Sequence, residues 1–242
     1  MIESIPQKIV KDMELAIFTG ELNPHDRFPS ERELAERYGV SRPVVREAVT
    51  HLTQLGLVKS VPKSGTYVSD FKAETSLSLL IHIMRTTGLV DSDVVLSLLK
   101  VRRMAEPFVA YEVALKITDD ELELMKCAGT ELITSLDDMA KVSEADFNFH
   151  FTLIKVMNDL IIRLTFNTIK PVYRYYTDYY YTLEGTGAAT VSFVKDLLAA
   201  LETRDPQAAR RVMEDAVIYA EKRLIDSLDL TTRKQPIILR QT

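Results

Sequence analysis

The sequence of 242 residues is poor in the side chains that build disulfides and metal centres. It has one cysteine, four histidines and no tryptophan. A single cysteine cannot form an intrachain disulfide, which is typical of proteins in a reducing compartment. So few cysteines and histidines exclude cysteine-rich zinc modules and make a histidine-rich metal cage hard to build. Cys127 lies between Met125 and Ala128 in an apolar stretch, so we expect a buried, unreactive thiol.

Long apolar runs are also absent. Stretches such as Leu79–Ile81 and Leu160–Ile162 fall far short of the roughly 20 apolar residues that a membrane-spanning helix requires. The chain does not open on a charged segment followed by an apolar one and a small-residue cleavage site, so we expect no signal peptide. Together these absences predict a cytoplasmic protein with no membrane partner.

Motifs that mark common enzyme sites are missing as well. The sequence contains no GxSxG, no glycine-rich phosphate loop and no paired histidines. We therefore predict that the chain is not an enzyme. An active site built from carboxylates alone is the alternative, and turnover of a bound ligand would distinguish it.

Charge is distributed unevenly along the chain. The net charge is -5. Residues 1–72 hold ten basic and ten acidic side chains, so the excess of acidic side chains lies wholly in residues 73–242. The acidic segment 73–242 argues against a structural nucleoid protein that coats DNA without sequence preference. The neutral segment 1–72 can still bind DNA if its basic side chains share one surface.

The first seventy residues contain signals for three helices. Apolar residues at a spacing of four predict a first helix over about residues 5–18. Ser30 and Glu33 form a capping-box pair that begins a second helix, ending near Gly39. Ser41 is an N-cap candidate for a third helix, with Pro43 tolerated in its first turn.

A hairpin follows the third helix, which stops near Gly56. Two short strands are predicted over Leu57–Ser60 and Thr66–Ser69, around a turn that contains Lys63 and Gly65. The order of helix, capped helix, short turn, third helix and hairpin is that of a winged helix-turn-helix.

The third helix has two faces on a 3.6-residue wheel. Val45, Ala48 and Leu52 lie on one side and pack inward. Arg42, Arg46 and Thr50 lie on another side, where arginines near a helix N-terminus reach guanine edges in the major groove. Ser41 offers a hydroxyl to phosphate, Arg32 reaches the same groove or its backbone, and the small cationic tip Lys63–Gly65 suits a wing.

The segment Phe28–Val49 reads FPSERELAERYGVSRPVVREAV and closely resembles the winged-helix signature of GntR-type bacterial repressors. The family's wing resembles Gly56–Val58 and Gly65–Val68. The family usually has threonine where this chain has Pro43. The resemblance implies double-stranded operator DNA as a partner, contacted by Arg32, Arg42, Arg46 and the wing tip Lys63–Gly65. Together with the outward face and first turn of the third helix, this predicts the following DNA-contact residues: Arg32, Ser41, Arg42, Pro43, Val44, Arg46, Thr50, Lys63, Ser64 and Gly65.

Helical periodicity dominates the rest of the chain. Breaks near Gly88, 116–120, 135–143, 158–159, 184–188 and 204–206 delimit six or seven helices, which predicts an antiparallel helical bundle. We therefore predict a mainly α fold with three segments. These are a winged helix-turn-helix over 1–72, an effector-binding and dimerisation bundle over 73–230, and a frayed tail over 231–242.

Asp146 and His150 lie one helical turn apart, a spacing that lets two side chains ligate one metal. The helical half resembles the metal-dependent organic-acid sensors of the GntR family, the FCD group, which carry this pair. Those sensors add two histidines from the last two helices, at places that fall near the apolar Val194 and Ala216 here. We therefore expect no metal and no other cofactor. A partial zinc site at Asp146 and His150 remains the alternative, and the simpler reading is a hydrogen-bonded pair.

Six tyrosines fall within residues 173–181, where Tyr173, Tyr176 and Tyr180 share one helix face. Phenols suit a mixed pocket, although core or interface packing explains them equally well. Arg102 could clamp a ligand anion or form a surface ion pair with Glu106. The candidate effector pocket is Arg102, Asp146, His150, Tyr173, Tyr176 and Tyr180.

In lacking the two histidines, the chain resembles the fatty-acid regulators of the same family, the FadR type. The resemblance implies a homodimer on a palindromic operator, with a long-chain acyl-CoA or a related lipid thioester as effector. The alternative effector is a small organic or sugar acid.

Overall fold

The computed structural model describes residues 4–70 and 92–228, together with positions 73, 77, 79, 81, 82, 89, 90, 237 and 238. It divides into one compact unit that reaches Leu89 and a second that begins at Val90. The first unit contains helices α1 (Ile5–Phe18), α2 (Glu31–Tyr38) and α3 (Arg42–Gln54), followed by strands β1 (Val58–Val61) and β2 (Gly65–Val68). This is the predicted winged helix-turn-helix.

Local signals set the ends of the N-terminal helices. The Ser30 hydroxyl accepts from the Glu33 amide at 3.3 Å, and the Glu33 carboxylate accepts from the Ser30 amide at 2.7 Å. This capping box begins α2, as predicted. Gly39 ends α2 with a φ of 65°, a left-handed conformation that glycine adopts without steric cost.

Strands β1 and β2 form an antiparallel hairpin in which Val58 pairs with Val68 and Val61 pairs with Gly65. The first strand begins one residue later and the second begins one residue earlier than predicted. The register explains the shift, because pairing of Val61 with Gly65 leaves a three-residue tip, 62–64. Lys63 has a φ of 61° in that tip.

The core of the first unit lies where α1, α3 and the hairpin meet. Ile9, Val45, Leu52 and Val68 are fully buried there. Leu79 packs in the same core, and His82 places Nε2 2.8 Å from Glu14 Oε1 on α1. The first compact unit therefore extends beyond the boundary after residue 72 that the sequence predicts.

The second unit is a helical bundle. Its described helices are α4 (Ser92–Lys116), α5 (Asp119–Thr134), α6 (Val142–Met157), α7 (Leu160–Tyr180), α8 (Thr186–Glu202) and α9 (Pro206–Leu228). Six helices with breaks at five of the predicted places confirm the predicted helical bundle. The sixth break, near Gly88, lies outside the described residues.

Two-residue strands are described at Leu89–Val90 (β3) and Ile237–Ile238 (β4). The rest of the predicted tail lies outside the described residues. Among the helices that are described, none combines the length and apolar content that a bilayer crossing requires.

Helix α5 packs against α6 and α8 through Leu122, Met125, Gly129 and Leu132. Cys127 and Leu124 lie on its opposite side and are exposed. The expectation of a buried thiol was therefore wrong. An apolar stretch of sequence surrounds Cys127, but the 3.6-residue period turns its side chain away from the core.

Candidate DNA-binding face and ligand cavity

The outward face of α3 is built as the wheel predicts. Arg42, Arg46 and Thr50 are exposed, while Val45 and Leu52 are buried beneath them. The Thr50 hydroxyl donates to the Arg46 carbonyl at 2.7 Å. Two cations one turn apart thus project from the first half of the helix, where a recognition helix enters the major groove.

The N-terminus of α3 is accessible. Ser41 has an extended backbone and is exposed, and its hydroxyl makes no capping hydrogen bond to the described chain. The hydroxyl and the first amides of the helix are therefore available to a phosphate. Pro43 is exposed in the first turn and Val44 is half-buried.

Glu31, the first residue of α2, contacts both arginines of the exposed α3 face. Its carboxylate accepts from Arg46 Nε and Nη2, each at 3.0 Å, and lies 3.8 Å from Arg42 Nη2. The hydrogen bonds from Arg46 hold the pKa of Glu31 below its usual value. Sequence reasoning missed this residue, because contact over fifteen positions follows from the angle between two helices. Arg32 is exposed beside it and pairs with Glu36 at 3.7 Å.

The hairpin tip is exposed at Lys63, Ser64 and Gly65. Ser64 Oγ lies 2.7 Å from the Tyr67 hydroxyl, which steadies the turn. Gly65 has a φ of 133°, and a Cβ there would lie 3.5 Å from Arg27 Nε. Arg27 therefore adds an exposed cation beside the predicted wing tip, and no sequence motif indicated it.

A cavity of about 60 Å³ lies inside the helical unit. Its wall is mainly apolar and also includes Arg102, Asp146, His150 and several hydroxyl-bearing side chains. Five of the six predicted pocket residues line it: Arg102, Asp146, His150, Tyr176 and Tyr180. Tyr173 is fully buried but does not line the cavity. The apolar wall includes Phe149, Phe193, Val194, Leu197, Met213 and Ala216.

Arg102 forms a buried ion pair. Its Nε and Nη2 donate to the two Glu106 oxygens at 2.5 and 3.1 Å, and its guanidinium carbon lies 4.7 Å from the Tyr173 ring centre and 5.4 Å from that of Tyr176. His150 Nδ1 lies 3.1 Å from Glu106 Oε2. The predicted alternative, an ion pair between Arg102 and Glu106, is confirmed. Its predicted place on the surface was wrong, because both side chains are buried.

These partners control the ionisation of Glu106. Burial by itself would raise the carboxyl pKa, but the charges of Arg102 and His150 and their hydrogen bonds lower it to about 2. Burial raises the pKa of Tyr176 well above its usual value. The Tyr176 hydroxyl is buried with no hydrogen-bond partner among the described residues, so the cavity wall holds a polar group in need of one.

Asp146 is held by tyrosines. Its Oδ2 accepts from the Tyr173 hydroxyl at 2.5 Å and its Oδ1 from the Tyr181 hydroxyl at 2.7 Å. The simpler reading of an Asp146–His150 hydrogen bond was therefore wrong, because His150 faces Glu106 instead. The two side chains share a helix face, but larger neighbours on α4 and α7 supply closer partners.

The cavity has apolar side chains at the two positions where the resemblance expects further metal ligands. Val194 and Ala216, where the resemblance places two histidine ligands, both line it and offer no donor atom. Among the described residues, no cluster of three or more His, Cys, Asp or Glu side chains could hold an ion. The two histidines that the organic-acid sensors add to Asp146 and His150 therefore have no counterpart at these two positions.

Thr177 and Thr190 also line the cavity. Glu106 and Tyr181 lie behind the lining, where they contact Arg102, His150 and Asp146. The predicted pocket omitted them. The spacing of Arg102 and Glu106 gave a signal for their pairing, but none for burial. Tyr181 lies on a different face of the sequence wheel from Tyr173, and it reaches Asp146 because it follows the last residue of α7.

Comparisons with known proteins match both units. The model of bacterial regulatory proteins of the gntR family matches residues 6–68, and that of the FCD domain matches residues 97–217. The HTH-type transcriptional regulator Mce2R of Mycobacterium tuberculosis is 29% identical over 222 residues, which cover 92% of each chain.

A second relative, from Escherichia coli, is named for regulation of the L-lactate dehydrogenase operon. It is 26% identical over 139 residues, which cover 57% of this chain and 53% of the relative. Among solved structures, Lar of Listeria monocytogenes has a TM-score of 0.61 with 17% identity, covering 94% of this chain and 99% of Lar. This likeness shows a shared fold.

Proposed function

Because the chain belongs to the GntR family of bacterial transcriptional regulators and carries an FCD domain, we propose that it is an effector-responsive repressor or activator that binds operator DNA as a dimer. Membership of this family, whose members regulate transcription, confirms the prediction that the chain is not an enzyme. We propose that α3 reads the operator, that the hairpin contacts its backbone or minor groove, and that the cavity of the helical unit binds the effector.

The exposed pair Arg42 and Arg46 carries the DNA-binding proposal. Both lie on the accessible first half of α3, and the Ser41 hydroxyl and Lys63 lie exposed in the same unit. Arginine pairs with guanine through two hydrogen bonds, while serine and lysine suit phosphate. The arrangement supplies both base-reading and backbone-positioning groups.

Selection of bound duplexes from a random-sequence pool tests this proposal. We expect the enriched DNA, called here the selected duplex, to contain two inverted half-sites, because a dimer presents two recognition helices. The selected duplex should bind at least about 10³-fold tighter than a scrambled duplex of equal length at physiological salt. Equal affinity for both duplexes would contradict operator binding and favour a structural nucleoid protein.

The cavity favours a small carboxylate over a long-chain acyl-CoA. At roughly 10–15 Å³ for each water-sized group, a cavity of about 60 Å³ holds only a few such groups. A long acyl chain with its CoA group needs many times that space. Arg102 and Tyr176 provide donors in the cavity lining, and the name of the E. coli relative points to lactate metabolism. We therefore propose a small organic acid such as L-lactate.

Thermal unfolding of EDTA-treated protein with L-lactate, other small carboxylates and a long-chain acyl-CoA tests the effector. A ligand at 100 times its Kd adds about 2.7 kcal/mol, which raises the Tm of a chain this size by several degrees. We expect a saturable shift with one small carboxylate. A shift with the acyl-CoA alone would contradict the proposal.

Tyr176→Phe sharpens the test. It removes one hydroxyl that has no partner among the described residues, so the free protein should keep its Tm while the ligand-induced shift shrinks. Tyr179→Phe on the same helix is the control, because Tyr179 is outside the cavity lining and bonds to the Ser227 carbonyl. If the ligand raises the Tm of both variants equally, Tyr176 does not contact the ligand.

A further inference from the structure

Glu31 binds the two arginines of α3 that are proposed above to read bases. Both oxygens of its carboxylate accept hydrogen bonds from Arg46, at 3.0 Å each, and one of them lies 3.8 Å from Arg42. The Glu31 side chain is 26% exposed, whereas the two arginines are 65% and 62% exposed. The acid is thus the partly buried anchor, and the arginines are the groups that DNA can reach.

The geometry of this pair resembles that of an arginine bound to guanine. A carboxylate presents two acceptors side by side to the guanidinium fork, as the O6 and N7 atoms of guanine do. Guanine can therefore replace Glu31 without loss of a hydrogen bond. Other base edges present a mismatched set of donors and acceptors to the same fork.

The charge of Glu31 acts in the same direction. Its hydrogen bonds with Arg46 keep its pKa below the usual value, so it is ionised at neutral pH. An ionised carboxylate neutralises part of the attraction that Arg46 and Arg42 exert on phosphates. Binding to arbitrary DNA, which depends on phosphate contacts, is weakened, while a guanine at the right position restores a two-bond partner.

We propose that Glu31 is a specificity-determining residue that positions Arg46 and restricts it to guanine by competing with the DNA backbone. The proposal rests on the operator-binding function proposed above. It assigns to an acidic residue at the start of α2 the task of discriminating between DNA sequences.

Glu31→Gln tests the proposal with the full-length protein. The variant keeps the side-chain length, removes the charge and loses one of the two acceptors. Kd values are measured for the selected duplex and for a scrambled duplex. We expect the ratio of the two Kd values to fall at least about fivefold, within the discrimination that one two-bond arginine contact supplies. For the scrambled duplex, the slope of the logarithm of affinity against the logarithm of salt concentration should become more negative by about one, because Arg46 becomes available to a phosphate.

Glu47→Gln is the matched control. Glu47 is exposed on α3 beside Arg46 in sequence, and it has no ion pair within the described chain. Its substitution removes the same charge near DNA and should strengthen both affinities by one factor, leaving their ratio unchanged. Thermal unfolding of both variants checks the fold, which the capping box of Ser30 and Glu33 maintains at α2.

A folded Glu31→Gln variant with the parent's ratio, or with the same change as Glu47→Gln, would overturn the proposal. If the ratio falls, through tighter binding of the scrambled duplex or weaker binding of the selected one, the proposal is supported. If the parent protein shows no sequence preference at all, operator binding itself fails, and the role of Glu31 fails with it.

Discussion

At the scale of single residues, the buried charges of the helical unit depend on one another. Arg102 and Glu106 are both buried and joined by two hydrogen bonds, and His150 faces the same carboxylate. Removing one partner of a buried pair leaves an uncompensated charge in a medium that solvates it poorly, so the protein loses folding stability. The stabilisation by this ion pair depends on pH, because Glu106 must be ionised.

Glu106→Gln should destabilise the protein by about 3 kcal/mol at pH 7. The Glu106 pKa is lowered from 4.5 to about 2 in the folded state, so its ionised form stabilises the fold fully above about pH 4.5. That contribution is lost as the pH falls from 4.5 towards 2. Urea unfolding of parent and variant at pH 7, 5 and 3 measures the difference, which should shrink over the acidic range.

The control for this prediction is Glu123→Gln. Glu123 pairs with Lys126 at 3.0 Å, and the two side chains are 68% and 37% exposed. Exposed pairs contribute roughly 0–1 kcal/mol, so this variant should lose little stability at any of the three pH values. A Glu106→Gln difference that does not vary with pH would contradict the assigned ionisation.

Arg42→Ala should weaken binding to the selected duplex by about 1–3 kcal/mol or more, because it removes a guanidinium from the exposed first turn of α3. Fluorescence anisotropy with the selected duplex measures the change, and circular dichroism checks the fold. Arg211→Ala removes the same charge from an exposed position in the helical unit and should leave the affinity unchanged. An unaffected Arg42→Ala variant would show that α3 is not the recognition helix.

At the scale of elements, the approach of α5 to α8 depends on a residue without a side chain. A Cβ on Gly129 would lie 2.9 Å from Val194 Cγ1 and 3.1 Å from Leu198 Cδ1. Leu198 and Val194 belong to α8, so the two helices lie closer than any larger residue permits. The same contact sets one side of the cavity, because Val194 lines it.

Gly129→Ala should therefore destabilise the protein by about 1–3 kcal/mol, since packed helices yield only at the cost of strain. Gly187→Ala, at a helical position in α8 with nothing within 4 Å of the added Cβ, is the matched control. It should be neutral or stabilising by up to about 1 kcal/mol, because alanine is the better helix former. Chemical denaturation measures both, and equal stabilities would show that α5 and α8 separate freely.

At the scale of the whole molecule, one face of α4 is both apolar and exposed. Val101, Met104, Phe108 and Leu115 are exposed, and their spacing places them on one side of the helix. Met104 is 78% exposed. A continuous apolar stripe of this kind is typical of an interface, and we propose that it forms the dimer.

Met104→Asp should convert the dimer to a monomer, because a charge placed in an apolar interface loses its hydration. Sedimentation velocity measures the molecular mass, and DNA affinity should fall in parallel, because a monomer presents one recognition helix to a single half-site. Glu112→Asp on the same helix keeps the charge and serves as the control. A dimeric Met104→Asp protein would place the interface elsewhere.

Removal of divalent metal should leave stability unchanged. The apolar Val194 and Ala216 line the cavity beside Asp146 and His150, and both Asp146 oxygens already accept hydrogen bonds from tyrosines. Thermal unfolding with EDTA, and again with added Zn²⁺, should therefore give one Tm. A loss of several degrees in EDTA would show that a metal binds.

The DNA-binding head could be predicted almost completely from the sequence. Its helix boundaries follow from local signals, such as Ser30 with Glu33 and the left-handed Gly39. The exposed arginines follow from the period of α3, as does the buried face of Val45 and Leu52. These features involve residues within a few positions of one another, where backbone preference and periodicity decide the outcome.

The tertiary structure decided which distant groups meet. Glu31 reaches Arg46 across the angle between two helices, and Glu106 rather than Asp146 faces His150. Cys127 lies outside the core, although its neighbours in sequence are apolar. A sequence records which residues share a helix face, but partners on other helices depend on how those helices pack. The rotation and separation of helices arise from the sum of many side-chain contacts, which no local motif encodes.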